Sequence, residues 1–197
     1  MADNAAMNSL FDTPWPALVA WLAVYVSDYY LTLYSARLYR AGAGAHFAFA
    51  GSLELTPYYQ ADIDALRRVS PRFILAMVFS VLVIELVWYL SQVVVGLPAV
   101  FEFLVGGLLL REAAVLLRHA RNIALFRAIR AGTGKPGVEG QVRYARWLSL
   151  RLSAVEIFSF AVFLALLAPV TASWFVAGGA FTCAVTGIQH WRRSRKA

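Results

Sequence analysis

Charge is scarce in this chain. Only 15% of its 197 residues are Asp, Glu, Lys or Arg, against roughly a quarter in soluble domains, while 60% are hydrophobic and 14% aromatic. Mean hydropathy is +0.63. This balance excludes an ordinary soluble domain and points to an all-α, polytopic helical membrane protein. Cysteine is nearly absent: Cys183 stands alone in an apolar stretch, which rules out an intramolecular disulfide and a cysteine-based zinc cluster. Met1 to Pro16 contains no Lys or Arg, so it lacks the basic start of a cleaved signal peptide, and the first apolar stretch is expected to stay in the protein.

Common catalytic signatures are missing as well. The chain has no H-E-x-x-H, no E-x-x-H pair of a di-iron bundle, no G-x-S-x-G and no D-D-x-x-D. Gly132-Thr133-Gly134-Lys135-Pro136-Gly137 resembles a phosphate loop only superficially. Ile129 stands where the first Walker glycine belongs, and Lys135 is followed by Pro136, so a plain turn is the better reading. The net charge of +7 would suggest nucleic acid in a soluble domain. Here the basic residues sit at the ends of apolar stretches, so they orient the chain in a bilayer and no nucleic-acid partner is expected.

What the chain does have is five apolar stretches, each near the ~20 residues needed to cross a bilayer. The expected spans are about 15–36, 71–95, 98–118 with a helical extension to 131, 147–168 and 171–190, with an amphipathic helix at about 57–69 on the inner surface. Ser70-Pro71 supplies a cap and a proline for the second helix start, and Thr56-Pro57 does the same for the surface helix. Gly96-Leu97-Pro98 is a tight turn that makes a hairpin of the second and third spans. The fourth helix is expected to begin near Val138 and to end at Pro169. In the fifth, Gly178, Thr182, Thr186 and His190 follow one another at i+4, with Gly179, Cys183 and Gly187 on the adjacent row, a pattern that lets another helix approach closely.

With the amino terminus outside, every Lys and Arg except Arg111 falls at an inner helix end or in an inner loop. The opposite orientation would invert the positive-inside rule. The expected location is therefore the cell membrane, multi-pass, with the carboxyl terminus cytoplasmic.

Counting at 1.5 Å per residue from the outer helix ends places Asp28, Glu85, Arg111, Glu112 and Glu156 at ~17–23 Å depth, on four different helices. Charges in hydrocarbon cost at least ~2.5–3.5 kcal/mol each on insertion scales and must find partners. Glu85 and Arg111 lie on the two arms of one hairpin and are expected to pair. Asp28, Glu112 and Glu156 would then be left over, and must take up protons, bind a cation or face water. Thr32 lies one turn from Asp28. His119, seven residues from Glu112 on the same helix face, is a candidate inner relay, with His190 at similar depth.

The reading that follows is proton- or cation-coupled translocation of a small solute or ion. An intramembrane enzyme acting on a lipid or isoprenoid is the alternative, with Asp28, Glu112 and Glu156 as candidate ligands of a divalent cation; haem on the histidines is disfavoured. A third reading is a structural subunit docking through Gly179, Cys183 and Gly187. Besides the lipid bilayer, a second copy or a partner membrane subunit is expected, because five spans are few for a complete transporter.

Overall fold

The computed structural model describes residues 11–50, 56, 58–130 and 140–197. The glycine-rich turn at 132–137 and the Glu54, Leu55 and Pro57 positions lie outside the described residues. Some 80% of the structure is helical, which makes it all-α. In chain order the elements are α1 (Trp15–Arg40), β1 (Phe47–Phe49), α2 (Gln60–Asp64), α3 (Pro71–Trp88), α4 (Pro98–Arg130), β2 (Val142–Tyr144), α5 (Arg146–Thr171) and α6 (Trp174–Ser194).

Local chemistry sets several of these boundaries. Ser70 Oγ accepts from the Phe73 amide and Pro71 occupies the first helical position, so α3 starts where the cap-plus-proline signal predicts. After Trp88 the helix widens into a π-helical turn over Tyr89–Val94, and Gly96, at φ +69°, makes the bend into α4 that a side chain would strain. Ser173 Oγ caps α6 by accepting from the Val176 amide.

Three expected boundaries are corrected. The surface helix covers only Gln60–Asp64 instead of 57–69, because Leu66 turns left-handed at φ +51° and stops it. The fourth long helix begins at Arg146, not near Val138, because 142–144 is extended and pairs in parallel with 47–49, Phe47 facing Val142 and Phe49 facing Tyr144. Pro169 does not end that helix. It lies inside α5, which continues to Thr171 and stops at Ala172, left-handed at φ +48°.

α1, continuous α3 with its π turn, and α5 are long and apolar enough to cross a membrane. Their outward faces agree with that. Leu75 is 65% and Phe79 67% exposed on α3, and Val162, Phe163 and Leu166 are exposed on α5, an arrangement that water would penalise and acyl chains would not. α4 carries Glu102, Arg111 and Glu112 within its apolar part, and α6 carries Gly, Ala and Thr at eight of its 21 positions.

α6 is the hub. It packs extensively on α5 and on α4, α1 packs on α4, and α4 barely touches α5. Closeness at the hub comes from glycine: a Cβ on Gly106 would fall 1.9 Å from Phe175 O, and one on Gly178 1.9 Å from Phe103 O. Thr182 reinforces the seam by donating to Gly107 O at 2.8 Å. Gly179 lies against Leu110 and Gly187 against Phe158, so the small-residue rows of α6 are covered by α4 and α5 and are not free for a partner. At the amino-terminal end of α4, Trp21, Ile84, Phe101 and Val105 form the apolar core joining α1, α3 and α4.

Candidate functional site

Because α6 holds α4 and α5 from behind while the two do not close on each other, a cleft is left between α1, α4 and α5. Its volume is about 460 Å³. Thr32 and Ser35 line it from α1; Arg118, His119, Arg121 and Asn122 from α4; Ser149, Ser153 and Glu156 from α5. The strand pair roofs it with Phe47, Phe49 and Tyr144, the last two rings stacked with centroids 5.3 Å apart.

Two polar bridges span the gap. Arg118 donates to Ser153 Oγ, which also stands 2.9 Å from His190 Nδ1 on α6. Arg121 Nη1 donates to Glu156 Oε1 at 3.0 Å. On the α1 side, His119 Nε2 lies 2.9 Å from Asp28 Oδ1 and 3.2 Å from Thr32 Oγ1, and only the second contact is aligned as a hydrogen bond. The single hydroxyl hydrogen of Thr32 goes to the Asp28 carbonyl at 2.9 Å, so Thr32 Oγ1 accepts from the ring and Nε2 carries a hydrogen.

Thr32 borders two compartments. It lines the cleft together with His119, and it lines, together with Asp28, a small cavity of about 20 Å³ whose other walls include Tyr25, Tyr29, Tyr59 and Ile63. The Asp28–Thr32–His119 group is thus a polar partition between them. The surface segment supplies part of the wall of the small cavity. Tyr59 bonds Tyr25 hydroxyl to hydroxyl at 2.8 Å, and burial pushes its phenol above the ordinary value, so that contact is a neutral one. Tyr29 donates to Arg67 O at 2.9 Å. Buried Asp62 fastens the segment by accepting from Ser70 Oγ at 2.6 Å and from Arg67 Nη1 at 3.1 Å. No family model, curated protein or solved structure matches the chain.

The sequence-predicted residues are brought together only in part. Asp28, Thr32 and His119 meet, and Glu112 is buried on the same helix as His119. The expected Glu85–Arg111 pair is not formed. Arg111 Nη2 lies 2.8 Å from Oε2 of its own neighbour Glu112, and Glu85 has no ion pair among the described residues and borders neither cavity. Neither are Asp28, Glu112 and Glu156 left over as an unbalanced group, since each has a base at 3.0 Å or less: His119, Arg111 and Arg121 respectively. Among the described residues no three of His, Cys, Asp and Glu come together as a metal site. The third histidine, His46, lies beside the strand pair with its Nδ1 3.2 Å from Gly140 O.

Arg118, Arg121, Ser35 and Ser153 are the site residues that depth counting does not select. Arg118 and Arg121 read as part of a basic exit from the membrane. The signal available was their three-residue spacing on the face that also carries Asn122 and Leu125, one turn on.

Proposed function

We propose that this is a five-span membrane protein, amino terminus outside and carboxyl terminus inside, that couples proton movement to the handling of a small solute held in the cleft. α4 and α6 join the three apolar helices as spans because α6 packs along both α4 and α5, and α4 also packs on α1, so that their charged and small residues have helix neighbours where such groups are tolerated. The orientation rests on the positive-inside distribution.

The observation that carries the proposal is the partition. Asp28 and His119 are two proton-exchanging groups at 2.9 Å, with the acid bordering one cavity and the imidazole bordering the other. Glu112 adds a reserve. It is buried, and its Oε2 has only the misaligned edge of Arg111 beside it. The Asp28–His119 pair favours a proton over a metal cation as the coupled ion, since transfer between a carboxyl group and an imidazole leaves the total charge of the pair unchanged, while Arg111 and Arg121 stay cationic beside Glu112 and Glu156.

Proton flux in proteoliposomes made from the intact chain is the test. Asp28→Asn and Glu112→Gln each hold the side-chain shape while removing the exchangeable carboxyl, and each is expected to reduce flux by about 10²-fold or more, the scale of positioned proton transfer. Flux unchanged in both variants overturns the proposal. A second copy or a partner subunit completes the pathway, and crosslinking through the exposed face of α3 reads that directly.

A further inference from the structure

We infer that the cleft binds the phosphate head of an anionic, single-chain amphiphile. The inference deepens the proposed function by naming the class of solute, and it rests on that reading for the cleft being the working compartment.

Charge is the first argument. Three bases face the cleft, and two are already answered, His119 by Asp28 and Arg121 by Glu156. Arg118 is not: among the described residues it meets no carboxylate, only the neutral Ser153 hydroxyl. A guanidinium on an apolar bundle without an anion is the situation a bidentate phosphate or carboxylate relieves.

An unsatisfied hydroxyl is the second argument. Ser35 lines the cleft and is 1% exposed, yet its Oγ has no hydrogen-bond partner. Buried hydroxyls without partners are uncommon and cost about 1–3 kcal/mol, so this one is a ready contact for a ligand oxygen. Asn122 adds an amide on the Arg118 side.

The rim supplies the third. Leu125, Leu152 and Val155 line the cleft and are 40%, 52% and 55% exposed, so the mouth is apolar and open to the side while the interior is cationic and hydroxylic. A free inorganic anion matches only the interior. An amphiphile matches both, and about 460 Å³ lies within the ~300–1,000 Å³ range of small-molecule sites.

Equilibrium binding to the purified full chain in phosphatidylcholine nanodiscs, with no gradient imposed, tests this. Lysophosphatidic acid is expected to bind one per chain and to compete with a fluorescent analogue, whereas lysophosphatidylcholine and inorganic phosphate do not compete at the same concentration. Arg118→Gln is expected to weaken binding at least about 10-fold, as for loss of a charged hydrogen bond. Ser35→Ala, which removes no hydrogen bond from the fold, is expected to weaken it about 3- to 10-fold. Arg127→Gln is the control on the same helix, because Arg127 lies over the Tyr34 ring and outside the cleft. Loss of affinity in Arg127→Gln equal to that in Arg118→Gln would mean general attraction to a basic face and overturns the inference. Equal competition by inorganic phosphate overturns it in favour of a soluble anion. Absent binding in a protein that still conducts protons also overturns it and leaves the proposed function standing, whereas saturable binding with no proton flux sinks the proton reading alone.

Discussion

α4 meets its two neighbours in opposite ways. Against α6 the contact is backbone on backbone, with no room for even a methyl group at Gly106 or Gly178. Against α5 the contact is two long side chains reaching a serine and a glutamate, with a cleft around them. Both seams join the same helix inside an apolar bundle, where burial of hydrocarbon gives little advantage over lipid and association depends on fit and on polar contacts. The difference teaches where function is placed. The glycine seam fixes the frame, and the polar seam keeps an opening beside it.

That contrast is broken most severely at the glycines. Gly178→Val puts a branched side chain where Phe103 O already stands, so the two helices must separate; a loss of about 3 kcal/mol or more, seen as failure to recover monodisperse folded protein in detergent, is expected. Recovery with an unchanged melting temperature would mean that the seam is not close-packed. Ser153→Ala attacks the polar seam at its most buried point and strips a partner from both Arg118 and His190, for an expected loss of about 1–3 kcal/mol read as a lower thermal midpoint. The smallest effect belongs to Glu156→Gln. The Arg121 end of its ion pair is 63% exposed, and such a pair is worth about 0–1 kcal/mol, so the midpoint should hardly move while the cleft, with one more unanswered guanidinium, takes the anionic amphiphile more tightly. Weaker amphiphile binding in that variant would separate the rim from the head site.

Helix starts and the hairpin bend were legible because their causes are local: Ser70-Pro71 and Gly96-Leu97-Pro98 act within a turn of the residues that name them. The small-residue rows of α6 were legible as a contact face for the same reason, although not which helices would use it. Asp28, Thr32 and His119 were each singled out, and they meet. Depth along a helix, however, is one coordinate, and pairing also depends on the direction in which a side chain points. Glu85 and Arg111 come out at one counted depth yet do not pair, and Arg111 instead folds onto Glu112, a neighbour that helical geometry would ordinarily point elsewhere. Arg118 and Arg121 were hidden by their own length, since a side chain that can reach back across a groove takes part at a level its Cα does not occupy. The strands at 47–49 and 142–144 are too short to show a period of two, and their pairing partner is remote in sequence.

That remote pairing sets an order of events. Two long helices, α3 and α4, lie between β1 and β2 and must be made before β2 exists to receive β1, and a parallel pair cannot form by a simple turn. Phe47, Phe49 and Tyr144 can therefore come together only once α1 and α4 are made, while α5, the third wall of the cleft, still follows in the chain. Every roof residue thus precedes the last wall in the chain, and it is α5 that completes the compartment.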